Sequence, residues 1–450
     1  MGRHWITTLS IMISLLVMTG LAAQQLAFPD AEGYGRFAKG GRDGKVVFVT
    51  NLNDQGPGSL RAAIEMQAPR IVIFQVSGTI ILESELKISH PDITIVGQTA
   101  PGDGICLRKY PLIISADNVV VRFLRVRLGD EAGRRVDGLS IRNAKNVIID
   151  HCSISWTLDE VVNTWHGTQN LTIQWCLISE SLHNSSVRKG HGYAASLGGV
   201  NTSYHHNLFA NNAGRNPSIA GDVKNPTIKL DFRNNAIFNW EDRTLDGRPE
   251  CINVVNNYYK AGPASRKGLP VVKIQALDDG SFGKWYTRGN ILEDRSGAKV
   301  LENLIVIDAP NVPLETARID TPIDVAPVAT QAAEEAFQLI LRNVGAYLPK
   351  YDSIDQRILR EVQSGQTTYG NGIIQSQFDV GGWPELLSTE PHEDRDCDGL
   401  PDEWERKFTS ENDLSMENAA DSDGDGYTNI EEYLNRTNPI LKEDTGQRMN

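Results

Sequence analysis

The chain has 450 residues, with 57 acidic against 44 basic side chains, a formal net charge of −13, and 40% apolar and 22% charged residues. This is a globular composition rather than a disordered or fibrous one. The acidic balance excludes a general nucleic-acid binder, which needs a basic face to displace phosphate counterions. The 40 Gly and 20 Pro predict many tight turns between short strands.

At the N-terminus Arg3 and His4 precede an apolar run from Ile6 to Leu21, and the small residues Ala22 and Ala23 follow. This is the order of a cleavable signal peptide, expected over 1–23. Thr7, Thr8, Ser10 and Ser14 interrupt the run, which is short for a membrane span, and no Cys follows as a lipid anchor. The expected protein is therefore secreted or periplasmic, without a membrane span. The five cysteines are odd in number and sparse, so a disulfide framework is not expected. GSLRAAIEM, Gly58 to Met66, predicts a short amphipathic helix ahead of one apolar strand, RIVIFQVSGTIIL, placed to cover an open sheet edge.

A repeat follows. NVVVRFLRV from Asn118, NVIIDHCSI from Asn146, NLTIQWCLI from Asn170 and NTSYHHNLF from Asn201 align by their Asn starts. Their seventh positions and later counterparts are Leu124, Cys152, Cys176, Asn207, Asn235, Asn257 and Asn290, spaced by 28, 24, 31, 28, 22 and 33 residues. Units of this length holding several short strands predict a coil that returns above itself, a parallel β-helix. Like residues then stack, so Cys152 and Cys176 are expected in the core, below a hydrogen-bonded Asn ladder. A β-sandwich would need hairpins every 8 to 12 residues or so. Beyond the coil, Ala329 to Ala346 and Ser353 to Ser364 carry helical spacing, predicting a two-helix extension packed outside.

Residues 391–450 hold 17 acidic and 6 basic side chains, so the acidity belongs to a tail module. DRDCDGLPDEWE and DSDGDGYTNIEE each fit D-x-D-x-D-G-x5-E. Carboxylates at alternate positions, a Gly for the sharp turn and a closing Glu form the pattern of a calcium loop. The expected ligands are Asp394, Asp396, Asp398, Asp402 and Glu405, then Asp421, Asp423, Asp425, Asn429 and Glu432, in a structural role. The predicted divisions are 1–23, 24–310 for the coil, 311–390 for the extension and 391–450 for the module.

The ladder also places loop residues. Asp137, Glu160, Lys189 and Arg215 lie 13, 8, 13 and 8 residues after their ladder positions, so all four are expected on one side of consecutive turns, over roughly 14 Å. Carboxylates beside cations, with Asp159 adjacent, suit the bridging of a metal to a charged ligand, and oxygen donors favour calcium. Spacing alone leaves a surface salt-bridge network equally open.

AFPDAEGYGRFAKGGRDGKVVFVTNLNDQGPGSLRAAI, ITIVGQTAPGDGI, NVIIDHCSISW and HHNLFANNAGRNP, with GGWPEL near the end, together resemble the family 1 polysaccharide lyases, the pectate lyases, in a branch common among exported bacterial enzymes. The resemblance implies an all-β, right-handed parallel β-helix of pectin lyase-like type and Ca2+-assisted β-elimination on polygalacturonate. It implies Asp137 and Glu160 as calcium ligands; the third acidic position falls on Thr164, which leaves Asp159, water or substrate to complete the shell. It implies Arg215 as catalytic base, Lys189 as the carboxylate-binding lysine, and Asp150 with His151 as structural support. Ala220 stands where the family has a second Arg. The expected partner is a pectic polysaccharide, acted on by a monomer. Arg215 as a mere clamp with His183 or His191 as base, a pectin or rhamnogalacturonan hydrolase on the same fold, and a non-catalytic carbohydrate-binding protein stand as alternatives.

Overall fold

A computed structural model describes residues 24–301, 307–409 and 416–442; the expected leader lies outside them. Three sheets wind around one core. The first has ten strands, from Lys45–Val49 and Arg70–Phe74 through Val119–Arg122, Lys145–Asp150 and Val200–His205 to Lys284–Arg288. The second has ten, including Arg125–Arg127, Ser153–Ser155 and Leu208–Ala210; the third has nine, including Leu139–Ile141, Glu160–Asn163, Tyr193–Leu197 and Ser218–Ile219. Among the described residues every pairing between these strands is parallel except that of Ile291–Glu293 with Lys299–Leu301. This is the parallel β-helix expected from the repeat, with the right-handed form that the family resemblance implies.

The ladder has its physical reason inside this coil. Asn207 donates to Asn235 at 3.0 Å, Asn235 to Asn257 at 3.1 Å and Asn257 to Asn290 at 2.9 Å. Below them the Cys152 amide donates to Cys176 Sγ at 3.4 Å, and all five cysteines are unbridged. The repeated Asn starts have a different cause. Asn118, Asn146, Asn170 and Asn201 sit at φ between 51 and 58°, the left-handed conformation that Asn tolerates best among non-glycines. Their side-chain amides chain together at 3.0 to 3.2 Å.

The helix before the coil spans Leu60–Ile64, capped by Ser59, and buries Leu60, Ala63 and Ile64 in the core. The following run is not one strand but two. Arg70–Phe74 joins the first sheet and Gly78–Ile81 the second, because the coil turns a corner at Ser77 and Gly78. Arg70, fully buried, donates to the carbonyls of Ala63 and Ile64 and ties helix to strand.

Two outer faces are covered. Helices Ala333–Asn343 and Ser353–Ser364 place Phe337, Ile340, Ile358 and Val362 against Leu177, Leu208 and Phe238 of the second sheet. The N-terminal segment lays Phe28, Ala31 and Ala38 on Val120 and Ile148 of the first sheet. Gly35 is required there, since a Cβ would stand 2.2 Å from the Val147 carbonyl oxygen. The third sheet instead carries an outward row of Ser140, Asn163, Ser196, Ser218 and Asp246 in register, a polar face suited to contact with a hydrated ligand.

Candidate active site

The charged residues collect where the strands of the third sheet begin. Gly138 N–H bonds the Glu160 carbonyl at 3.0 Å, Glu160 pairs with Tyr193, Tyr193 bridges to Gly214, and Ala195 N–H bonds the Arg215 carbonyl at 2.9 Å. Asp137 and Glu160 therefore stack on adjacent levels, and Arg215 lies two levels beyond Glu160. At the level between, the residue in register is Tyr193. Lys189 lies in the loop ahead of it, exposed, with its ammonium on the Asn184 carbonyl at 3.2 Å. The loop before this strand is longer than the others, and that displaces the sequence register. Arg188, the neighbour of Lys189, turns inward to 3.6 Å from Asp159.

Asp159, Glu160 and His191 bring their ligand atoms within 4.8 Å of one another, and all three are buried. Adjacent residues of a regular strand would diverge. Asp159 precedes strand Glu160–Asn163, in a bend whose Asp159 carbonyl accepts from Thr157 and Ser181 at 3.1 Å each, so its carboxylate swings beside that of Glu160. Asp159 also binds Arg135 and His191 Nε2, and Glu160 binds Arg215 Nη1. Asp137 accepts from Ser140 at 2.7 Å and from Arg142 at 3.2 Å. Thr164 is turned into the core, sharing a 2.6 Å hydrogen bond with Tyr204.

Burial, and then the charge of Asp159, push Glu160 up to about 8. Asp159 is held down at about 2, its burial outweighed by His191 and Arg135. Two buried carboxylates this close do not both ionise readily without added positive charge. Asp159 and Glu160, with His191 inside the same 4.8 Å, could hold a divalent cation, which would displace the Arg135 and Arg215 guanidinium groups now on those carboxylates. Arg215 lies with Cζ 4.3 Å over the Tyr193 ring, at φ 52°, and its Nε is buried without a hydrogen-bond partner. Arg243, one level on, lies 4.9 Å over the same ring.

Asp150 and His151 lie elsewhere, at the corner of the first and second sheets. Asp150 is fully buried between Arg122 Nε, His151 Nδ1 and Gln174 Nε2, each at 2.8 Å. Despite that burial, His151 and Arg122 hold its carboxyl well below the usual range. Arg135, Arg142 and Arg188 were not among the residues expected at the site; only Arg188, next to Lys189, stood beside one that was.

Three wound sheets with a cluster of carboxylates and guanidinium groups at the start of the third sheet's strands define a β-helix of the polysaccharide lyase class. No family model matches the chain. The probable pectate lyase C of Aspergillus flavus is 32% identical over 441 residues, 95% of this chain and 98% of that protein. That of Emericella nidulans is 32% identical over 439 residues, 96% and 97% of the two chains. The crystal structure of the cedar pollen allergen Jun a 1 shares the fold at a TM-score of 0.54 and 19% identity, over 70% of this chain and 92% of that one. The chain belongs to the pectate lyases.

Proposed function

We propose that the protein is a secreted, monomeric pectate lyase that cleaves α-1,4-linked polygalacturonate by β-elimination, with Ca2+ at Asp137, Asp159 and Glu160. In this reading leader 1–23 directs export, 24–310 is the catalytic coil, 311–390 the extension and 391–450 the acidic module. The observation that carries it is the convergence of Asp159, Glu160 and His191 beside Arg215, at the start of the third sheet's strands. Bound Ca2+ would neutralise the uronate carboxylate next to the proton to be lost. Arg215 takes the C5 proton, and Arg188, rather than the more distant Lys189, is the cation best placed to face a second carboxylate. A guanidinium is a poor base because it is almost always protonated. Alkaline activity therefore follows from this role. The carboxylates of Asp159 and Glu160 also form the split pair a hydrolase would use, but they lie within 4.8 Å of each other, closer than the roughly 5–9.5 Å that glycosidase carboxyl pairs keep around a scissile bond.

Polygalacturonate and methylated pectin incubated with the enzyme, with and without chelator, separate these readings. Elimination releases unsaturated, ultraviolet-absorbing ends and stops in chelator. New reducing ends without that chromophore, or activity that persists in chelator and peaks at mildly acidic pH, would refute the lyase assignment.

A further inference from the structure

The acidic tail docks on the coil at a face remote from the third sheet. Leu400, Trp404, Ile430 and Leu434 pack against Ile71, Ile73 and Val96. These three point away from the core, which explains why strand Arg70–Phe74 is buried at all five positions. Arg42 forms a buried ion pair with Glu431 at 2.8 Å. Arg122, while holding Asp150, donates through Nη1 to Asn435 at 2.9 Å.

The loops themselves form part of this contact. Gly399, at φ 98°, is the sixth position of the first loop, and a Cβ there would stand 2.8 Å from Val46 Cγ1 and 3.3 Å from Ile73 Cδ1. Asp394, Asp396 and Asp398 converge within 4.8 Å, as do Asp421, Asp423 and Asp425. A cluster of acids alone proves nothing, but a buried acceptor lies beside each: Asp396 and Asp398 act on Glu405, and Asn429 N–H bonds the carbonyl of Ala420, next to Asp421, at 2.7 Å. Glu405 is 0% exposed, and among the described residues no donor makes a hydrogen bond of full geometry to either carboxylate oxygen. Asn429 is 1% exposed, with Nδ2 bonded to the Glu417 carbonyl and Oδ1 unpartnered. Such orphaned acceptors are costly unless something binds them. They occupy the twelfth position of the first loop and the ninth of the second, where a calcium loop needs ligands. Asp402 differs from the expectation: Arg395 and Arg406 already hold its carboxylate, at 3.3 and 2.8 Å.

We propose that the tail is a calcium-held clamp. Two Ca2+ ions, one on Asp394, Asp396, Asp398 and Glu405 and one on Asp421, Asp423, Asp425, Asn429 and Glu432, order the two loops and so fasten the module across the N-terminal turns of the coil. The ions serve stability, and they are separate from any ion in the cleft. Without them the like charges of the module repel one another and loosen the contact.

Thermal unfolding of the full chain and terbium luminescence sensitised by Trp404, beside the first loop, test this. Saturating Ca2+ raises Tm over chelator by roughly 5 °C, and terbium is bound and displaced by Ca2+. The double variant Glu405→Gln, Asp423→Asn loses more than half of that shift and the sensitised signal, whereas Glu160→Gln retains both. Ile73→Ser, on the docking face, keeps the terbium signal but loses most of the Ca2+-dependent shift. A Tm indifferent to Ca2+, a wild-type chain without terbium signal, or a full shift in the tail or Ile73 variants would overturn the clamp. Should the tail variants not fold, the wild-type terbium titration decides alone. Loss of elimination in Glu160→Gln with the Tm shift intact bears on the cleft and leaves the clamp standing.

Discussion

Arg215 is held in a left-handed conformation at φ 52°, with one guanidinium nitrogen on Glu160 and another buried without a partner. Strain of this kind is found where position matters for chemistry. Arg215→Lys keeps the charge but loses the planar fork, so kcat on polygalacturonate is expected to fall by about 10²–10⁴-fold. His191→Asn should lower it far less if Arg215 is the base. Initial rates at the pH optimum check both. A second residue-scale effect lies at His206, whose imidazole is held down at about 4 by burial, against the pull of Gln331. A group that resists protonation when folded stabilises fully above its ordinary pKa of 6.5 and loses that contribution as pH falls through the folded value. Stability should therefore drop by on the order of 2 kcal/mol between pH 7 and 4.5, and the drop should shrink in His206→Asn, as read by urea unfolding at both pH values. The sequence marked Arg215 by motif. Its pairing with Glu160 depends on two strands 55 residues apart, which no local pattern reports.

Among the elements, the ladder shows how a repeat becomes a constraint. Asn235 accepts from the Asn207 backbone and side-chain amides, both at 3.0 Å, and donates to the Tyr204 carbonyl at 2.9 Å. Asn235→Leu strands these groups in the core and should cost about 3 kcal/mol or more, seen as a lower denaturant midpoint. This ladder was legible because identical residues recur at one register. The attachment of the extension was not. Arg125 and Arg127 are fully buried in the second sheet, and Arg127 Nη2 reaches Asp352 at 3.0 Å and Asp355 at 2.7 Å at the start of helix Ser353–Ser364. In sequence they look like solvent-facing charges on a three-residue strand. Arg127→Met leaves two carboxylates buried without their main partner, so the extension should loosen at a cost on the order of 3–5 kcal/mol, detected as faster proteolysis within 333–364.

For the whole molecule, the coil supplies a continuous core, while function depends on which outer faces are covered. The N-terminal segment and the acidic module occupy the first sheet, the extension helices the second, and the third carries its polar row beside the charged cluster. The Arg42–Glu431 pair joins residues 389 apart. Arg42→Met should destabilise the chain by on the order of 3 kcal/mol by leaving Glu431 buried, with kcat unchanged because the module lies away from the cleft. Calorimetry and initial rates on one preparation check both halves.

Sequence alone determined the coil, the core position of Cys152 and Cys176 and the Asn ladder, because each is a periodic signal that parallel stacking reads directly. Only the tertiary structure decided that one apolar run turns a corner into two strands. It also placed Tyr193 in register where Lys189 was expected, and brought Asp159 round beside Glu160. Loop lengths and bends set those outcomes, since a side chain outside a strand owes its direction to contacts made across turns rather than to its place in the repeat.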